Sequence, residues 1–434
     1  MINEPRSPNL PLRILLVGDA RMAFPVAKAL SQAGHEVFAG VSTSSNYLEW
    51  SRHVSGSFRH SPLEPGTDEA LPVILDWLDR NRVDAVQPVS EAGSRLITRH
   101  RAAFEARARL IMPEAGTVQT CMNKTRMFEL CETLGVALAP HRRVQDMTGL
   151  HAAAAAIGYP LIVKPAVVDA ELFDRKALII ADETQLAVAM PHWPDIHPEL
   201  IVQKYVTGPR HSVIFSADRG RLLGAVEIKA ARTHEYDGTG YTTFGVTVEP
   251  TPLVREGVEK LVAHLAYSST GCAQFIVCPT TGEVTFMEIN PRVSLGRISE
   301  CAGLPHSVWG LQLATGRAIV APADPWAIYR RGVRYVWTKG DLTLLRQQVR
   351  RGHARPAEAA RRLARIAIDA VQCAHAIFDP LDPMPAVGTY GNILIKRWRR
   401  HPEYQPGWPT VSAGSGRRGP ARSDPGWTRS RAKG

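Results

Sequence analysis

The segment Glu288-Ile289-Asn290-Pro291-Arg292 decides the fold class of this 434-residue chain. It lies at the end of a predicted strand, where side chains two positions apart point to the same face, so Glu288 and Asn290 lie together. Arg292 keeps this spacing, although Pro291 ends the strand. A guanidinium at this point can neutralise negative charge on a phosphorylated intermediate. The segment therefore indicates a site for phosphate chemistry.

A predicted hairpin brings a third polar side chain to this face. Residues 273–278 and 283–289 read as paired strands joined by a turn at 279–282, and Gln274 lies on the first of them. With Glu288 and Asn290 it gives a cluster of hard oxygen donors, which suits Mg²⁺ bound to phosphate oxygens rather than zinc. The alternative interpretation is a polar outer strand face with a stray arginine.

Two lysines and one strand segment upstream provide further candidates. Lys164 ends a short apolar strand and is followed by Pro165, which keeps the chain extended up to the lysine. Lys124 enters a predicted helix. Either lysine can meet phosphate as a point charge at the lip of a cleft, although each taken alone is also typical of a solvated surface residue. If the strand edge at 203–206 has free backbone groups, it can bind adenine.

In this order and at these distances, the three elements resemble the ATP-grasp superfamily, most closely the synthetase halves of the carbamoyl-phosphate synthase large subunit. The run EINPRVS, followed by AGLP, is the specific signal, and the resemblance covers about residues 12–313. It implies ATP and Mg²⁺ (or Mn²⁺) as cofactors. The roles that it implies are phosphate contacts for Lys124 and Lys164, an adenine-binding hinge at Gln203, Lys204, Tyr205 and Val206, metal ligands at Gln274, Glu288 and Asn290, and a catalytic arginine near the γ-phosphate at Arg292.

The predicted fold class is α/β and α+β. A strand, a helix and a strand between residues 13 and 40 form a βαβ unit, although the first turn, at 18–21, lacks the GxGxxG pattern of a dinucleotide site. The resemblance implies a Rossmann-like pre-ATP-grasp domain at 12–115, a small ATP-grasp lobe at 116–197 and a large lobe with the metal site at 198–320. A mainly helical extension follows at 321–410, and a disordered basic tail at 411–434.

The net charge of +11 is concentrated near the C-terminus. Basic residues recur in the predicted helices of residues 342–373, and the tail after Val411 adds about five net positive charges. Basic helices with apolar positions can bind anionic lipid surfaces, so weak peripheral membrane contact is one expectation; packing of the apolar positions against the rest of the protein is the other. No motif predicts specific nucleic-acid binding, and no pattern indicates an oligomeric state.

The composition is that of a globular protein, with 44% hydrophobic and 21% charged residues. No apolar run approaches the roughly 20 residues that span a bilayer, and the N-terminus does not resemble a signal peptide. We therefore expect a cytoplasmic location. The six cysteines form no CxxC pair and no zinc-finger spacing, so we expect free thiols.

The predicted function is an ATP- and Mg²⁺-dependent ligase that activates a carboxylate as an acyl phosphate for attack by an amine or a thiol. The stretch after Lys164 lacks the glycine-rich phosphate loop common in the superfamily, which leaves a second hypothesis: a nucleotide-binding sensor or scaffold without catalysis. His211 is interpreted as a structural residue. The polar segment 232–244 is a candidate acceptor site through Arg232 and Tyr241, or else an exposed hairpin loop.

Overall fold

A computed structural model describes residues 10–18, 21–42, 47–64, 66–166, 172, 177–190, 199–235 and 240–398. These residues lie in two compact units, 1–392 and 393–434; of the second unit, only the last turns of one helix are described. Within the described ranges no helix is long and apolar enough to cross a membrane. The cytoplasmic location and the tail at 411–434, which lies outside the described residues, stay predictions.

The first sheet is parallel and carries the predicted βαβ unit. Residues 14–17 are fully buried, which explains the continuous apolar run, because parallel strands are covered on both faces. The sheet order is β3-β2-β1-β4-β5. Its strands are β1 Arg13–Val17, β2 Glu36–Ser42, β3 Gly56–His60, β4 Ala85–Pro88 and β5 Arg109–Leu110. The helices of this part are α1 Ala23–Gln32, α2 Leu71–Asn81, α3 Glu91–Arg99 and α4 Arg101–Glu105, with a short 3-10 turn at Leu48–Trp50.

The second sheet is antiparallel and has the order β6-β9-β7-β8. Its strands are β6 His141–Val144, β7 Leu161–Pro165, β8 Leu178–Ile180 and β9 Leu200–Lys204. The helices beside it in sequence are α5 Ala115–Cys121, α6 Lys124–Leu134, α7 Met147–Ile157 and α8 Glu183–Ala189. Strand β9 pairs on both sides in this sheet, so a lobe boundary at 198 separates it from its own partners. The domain limits otherwise stay predictions.

The third sheet has the order β14-β13-β10-β11-β12-β15-β16. Its strands are β10 Arg210–Asp218, β11 Arg221–Thr233, β12 Thr242–Thr247, β13 Ser269–Val277, β14 Val284–Asn290, β15 Arg334–Val336 and β16 Ala374–His375. Helix α9 Pro252–His264 packs against it, with Phe275 and Val258 in one buried cluster. Helices α10 Gly296–Ala302 and α11 His306–Thr315 follow β14. The fold class predicted from the sequence is confirmed.

The extension after residue 321 is not purely helical. It contains helices α12 Thr338–Arg350, α13 Pro356–Gln372 and α14 Met384–Trp398, but strands β15 and β16 also complete the edge of the third sheet. Ile366 packs inward, whereas Leu363 and Ile368 are exposed. Part of the apolar positions of these helices therefore packs against the rest of the protein, and membrane contact stays a prediction. All six cysteines are free, four of them buried.

Candidate functional site

The predicted metal ligands meet across strands β13 and β14. Gln274 lies directly opposite Glu288, and the amide nitrogen Nδ2 of Asn290 donates a 2.8 Å hydrogen bond to Glu288 Oε1. Ile289, between the two polar residues, is buried on the other face. The alternation inferred from the sequence therefore places one carboxylate and two amide groups together, half-buried, at the end of a strand.

The two predicted lysines also come together. Lys164, near the end of β7, is buried, and its Nζ donates to Gln203 Oε1 at 2.8 Å and lies 4.8 Å from the centre of the Phe128 ring. Lys124, the first residue of α6, is also buried, and its Nζ donates to the carbonyl of Pro165 at 3.3 Å. Both lysines are therefore partly desolvated cations at one strand end, not solvated surface residues.

The pKa of Lys164 is lowered to about 7, mainly by burial and also by the nearby charge of Lys124, while the charge of Glu288 partly opposes this shift. These effects show that the lysine pair and the carboxylate of the predicted metal site lie within electrostatic reach of one another. A phosphate between them would supply the negative charge that favours the protonated lysine. The electrostatics fit a polyphosphate ligand.

The prediction of a free strand edge at 203–206 is wrong in part. Strand β9 is an interior strand, the backbone N–H of Lys204 donates to the carbonyl of Pro140, and that of Tyr205 donates to the carbonyl of Pro160. The side chain of Gln203 is bound to Lys164, and Lys204 Nζ donates to the carbonyl of Tyr159 at 3.0 Å. The sequence could not show this, because strand order is a tertiary property.

The amide of Val206 differs from its two neighbours. Within the described part of the chain it has no hydrogen-bond partner. Its side chain packs with Ala139 and Cys278 in a small apolar cluster. An unpaired main-chain donor beside apolar side chains suits an adenine ring.

Arg292 joins the site to the first sheet. Its guanidinium lies 3.7 Å from Glu91 Oε2 and donates to the carbonyl of Val293 at 3.3 Å. Glu91 begins α3, directly after the carboxyl end of β4, which is the sheet edge where ligands of parallel α/β sheets bind. The predicted catalytic arginine is thus half-buried and oriented by the first residue of α3, beside the first sheet.

One residue near the metal site was missed in the sequence. Arg210 begins β10, and its guanidinium donates to the carbonyl of Gly240 at 2.7 Å and to Thr242 Oγ1 at 2.9 Å. Burial lowers its pKa, and the charge of Glu288 opposes that shift, so the two groups are electrostatic neighbours. Strand parity could have found it, because Arg210 shares a face with Ser212, which pairs with Gln274.

Two predictions for neighbouring residues can be compared directly with the structure. Arg232 does not face an acceptor site, because it is ion-paired with Asp341 at 2.7 Å and with Asp369 at 2.8 Å, both buried. His211 is hydrogen-bonded to the fully buried Glu227 at 2.5 Å, as the structural interpretation predicted. Most of the stretch after Lys164, including 167–171 and 173–176, lies outside the described residues, as do 236–239.

Comparison with known proteins supports the resemblance. The family model described as "Carbamoyl-phosphate synthase L chain, ATP binding domain" matches residues 222–321. The C-terminal section of the carbamoyl phosphate synthase large chain of Methanopyrus kandleri is 25% identical over 273 residues, which cover 59% of this chain and 46% of that protein. The mitochondrial methylcrotonoyl-CoA carboxylase subunit alpha of rice (Oryza sativa subsp. japonica) is 26% identical, over 48% of this chain and 30% of that one. This chain therefore spans less than half the length of either relative.

Among solved structures, the biotin carboxylase domain of the Hydrogenobacter thermophilus 2-oxoglutarate carboxylase, in complex with Mg·ADP and bicarbonate, superposes with a TM-score of 0.60 at 18% identity. The match covers 75% of this chain and 74% of that one. The fold is therefore the ATP-grasp fold. The family match adds that residues 222–321, which include nearly all of β11 and strands β12 to β14 of the third sheet, are similar to the ATP-binding domain of carbamoyl-phosphate synthase large chains.

Proposed function

We propose that this protein is an ATP- and Mg²⁺-dependent ligase that converts a carboxylate into an acyl phosphate for capture by an amine or a thiol. One observation carries the proposal: the carboxylate of Glu288 faces Gln274 and Asn290 across a strand pair, with buried cationic side chains on the elements around it. The small molecules proposed as substrates are an acid and an amine or thiol. The sensor hypothesis shares the binding site but not the turnover.

The residues present fit a magnesium ion. One carboxylate and two amide groups, all on one strand-pair face, offer hard oxygen ligands. Oxygen donors of this kind suit a hard cation better than a softer metal. When bound, the ion shields the charge of the β- and γ-phosphates. Gln274, Glu288 and Asn290 would hold it.

The protein's own groups would arrange the phosphoryl transfer. Lys124 and Lys164 neutralise phosphate oxygens. Arg292, oriented by Glu91, stabilises the γ-phosphoryl group in the transition state of its transfer. A carboxylate oxygen of the acid forms a bond to the γ-phosphorus as the bond to the β,γ-bridging oxygen breaks, and ADP leaves. The amine or thiol then attacks the acyl carbon, inorganic phosphate leaves with the carbon–oxygen bonding pair, and the proton of the nucleophile passes to solvent or a base.

The adenine would lie beside Val206. Its amide can donate to a ring nitrogen, while Gln203 acts through its hydrogen bond to Lys164 and Lys204 supplies a carbonyl rather than its bound N–H. The small lobe (116–197) and large lobe (198–320) would then enclose the nucleotide, with β9 assigned to the small lobe's sheet. This assignment of the hinge and the lobes is part of the same proposal.

The test uses Glu288→Gln, which keeps the shape of the side chain but removes its charge. We expect loss of acid-stimulated ADP release by a factor of roughly 100 or more, because electrostatic stabilisation of transferred phosphate depends on the bound ion. Glu259→Gln, on the surface of α9, is the matched control. Unchanged turnover in Glu288→Gln would refute the ligase. Binding of Mg·ATP without ADP release across broad acid and amine panels would favour the sensor.

A further inference from the structure

Arg21 lies between two aromatic rings from distant parts of the chain. Its guanidinium carbon is 4.2 Å from the centre of the Trp337 ring and 4.7 Å from that of Tyr241. Arg21 follows β1 in the first unit's parallel sheet, Tyr241 precedes β12, and Trp337 stands between β15 and α12 of the extension. Rings on two sides fix the guanidinium in position and stabilise its charge.

Arg210 belongs to the same neighbourhood. It donates to the carbonyl of Gly240, the residue before Tyr241, and the charge of Arg21 acts on it as a like charge. In the described ranges neither Arg21 nor Arg210 forms an ion pair with a carboxylate. Asp341, a buried acid of the extension, is paired with Arg232 instead. Among the described residues, two guanidinium groups thus lie close enough to repel one another, and neither is neutralised by a carboxylate in contact.

Three buried donors of this group have no acceptor. Arg21 Nε, Arg210 Nε and Trp337 Nε1 are buried, and among the described residues none has a hydrogen-bond partner. Buried donors without partners are uncommon and costly. All three are donors only. A ligand that satisfies them must therefore carry hydrogen-bond acceptors, and the two guanidinium groups favour an anion.

We propose that Arg21, Arg210 and Trp337 form the subsite that binds the carboxylate of the acid substrate. The role of this subsite in catalysis rests on the proposed ligase function, whereas the binding of a carboxylate there does not. A planar carboxylate matches the fork of a guanidinium, whereas the lysine pair is the phosphate-binding feature of the site. Because Arg210 also lies within reach of the charge of Glu288, a carboxylate held there would lie near the residues that would hold the ion.

The position of Trp337 gives the extension a function. Strand β15 pairs with β12, and this pairing holds Trp337 over the site; the backbone N–H of Trp337 also donates to the carbonyl of Thr243. Tyr241 is 48% exposed, so the aromatic side of the subsite opens to solvent. The extension therefore supplies one wall of the acid subsite, and its Trp337 is a specificity-determining residue.

The experiment compares full-length wild type with Arg21→Gln, Trp337→Phe and the control Arg80→Gln, an exposed arginine on α2. Calorimetric titration without nucleotide uses acetate, succinate, benzoate and glutamate, the methyl ester of the tightest acid, and inorganic phosphate. ADP release at saturating Mg·ATP then gives KM for the acid, and KM for ATP is measured separately. Trp337→Phe keeps a ring against Arg21 but removes the Nε1 donor.

We expect Arg21→Gln to weaken acid binding and raise the acid KM roughly tenfold or more, and Trp337→Phe to do so about two- to tenfold. KM for ATP should stay within about twofold, the ester should not bind, and Arg80→Gln should match wild type. If acids bind and Arg21→Gln abolishes binding while no ADP forms, the subsite stands and the ligase fails. No acid binding by wild type, tighter binding of phosphate than of any acid, or an unchanged acid affinity in Arg21→Gln would overturn the subsite.

Discussion

Nucleotide binding should depend on pH through Lys164. Its pKa is about 7 in the nucleotide-free protein because it is buried beside Lys124. A triphosphate near Nζ favours the charged form, so binding raises this pKa. The sign follows: above pH 7 the free protein must take up a proton to bind nucleotide, and affinity falls as pH rises. Below pH 7 the lysine is already protonated and affinity is level.

The size of the effect follows from the pKa. At pH 8 only about 10% of Lys164 is protonated in the free protein, so binding takes up about 0.9 proton. Between pH 6 and pH 8 the Kd for Mg·ATP should therefore rise about tenfold, provided that Lys164 stays charged in the complex. Saturating Mg²⁺ keeps the nucleotide's own phosphate protonation out of this range.

Isothermal titration calorimetry with a non-hydrolysable ATP analogue measures both quantities. Proton uptake at pH 8 appears as a difference in binding heat between HEPES and Tris buffers, which have different ionisation enthalpies. Lys164→Met should bind more weakly at pH 6 and lose both the pH dependence and the buffer dependence. The control Lys260→Met, at a half-exposed lysine on α9, should keep them. Equal Kd values at pH 6 and pH 8, with heats independent of buffer, would refute the reasoning.

Two further predictions concern stability and are tested by urea unfolding. Arg232→Met should lower the free energy of unfolding by about 2–3 kcal/mol, because buried Asp341 and Asp369 lose the cation that they share, although Asp369 keeps its ion pair with Arg365. Arg80→Met, at an exposed ion pair, should change it by less than about 0.5 kcal/mol. Similar losses in both variants would contradict the ion-pair argument. Gly271→Ala should lower the free energy of unfolding by about 1–3 kcal/mol, because the new Cβ would lie 2.6 Å from the Tyr267 hydroxyl. Gly116→Ala in helix α5 is the control: its new Cβ meets nothing within 4 Å, so the change should be neutral or stabilising. A neutral Gly271→Ala would show that this part of the sheet relaxes.

Local sequence patterns predicted the half of the site that depends on one hairpin. The period of two residues along a strand is enough to bring Glu288 and Asn290 to one face, and the short turn fixes Gln274 opposite them. The apolar run before Lys164 likewise predicted a buried strand that ends at a cation. These inferences need only the geometry of one or two neighbouring elements.

The rest of the site depends on pairings between distant segments. Arg232 pairs with Asp341, which lies 109 residues later in the sequence, and no local pattern predicts this pairing. The interior position of β9 depends on its pairing with β6, and this pairing removed the free edge expected at Lys204 and Tyr205. The position of Arg210 near the site could have been inferred from strand alternation, because Arg210 shares a face with Ser212, which lies opposite Gln274. This inference requires the pairing of β10 with β13, which the sequence does not show.

The composition of the metal site suggests how the ion arrives. Magnesium holds its waters tightly and is usually bound in proteins through one or two carboxylates together with phosphates of the substrate. This site has one carboxylate, Glu288, and part of its negative charge is offset by the field of Arg210 and Lys164. Without nucleotide, the protein ligands alone therefore give a weak site, and the phosphates supply the remaining charge. The ion and the nucleotide should then bind as one ligand, and above pH 7 their binding draws Lys164 into its charged form. Binding of Mg·ATP thus assembles the phosphate half of the site at the same step.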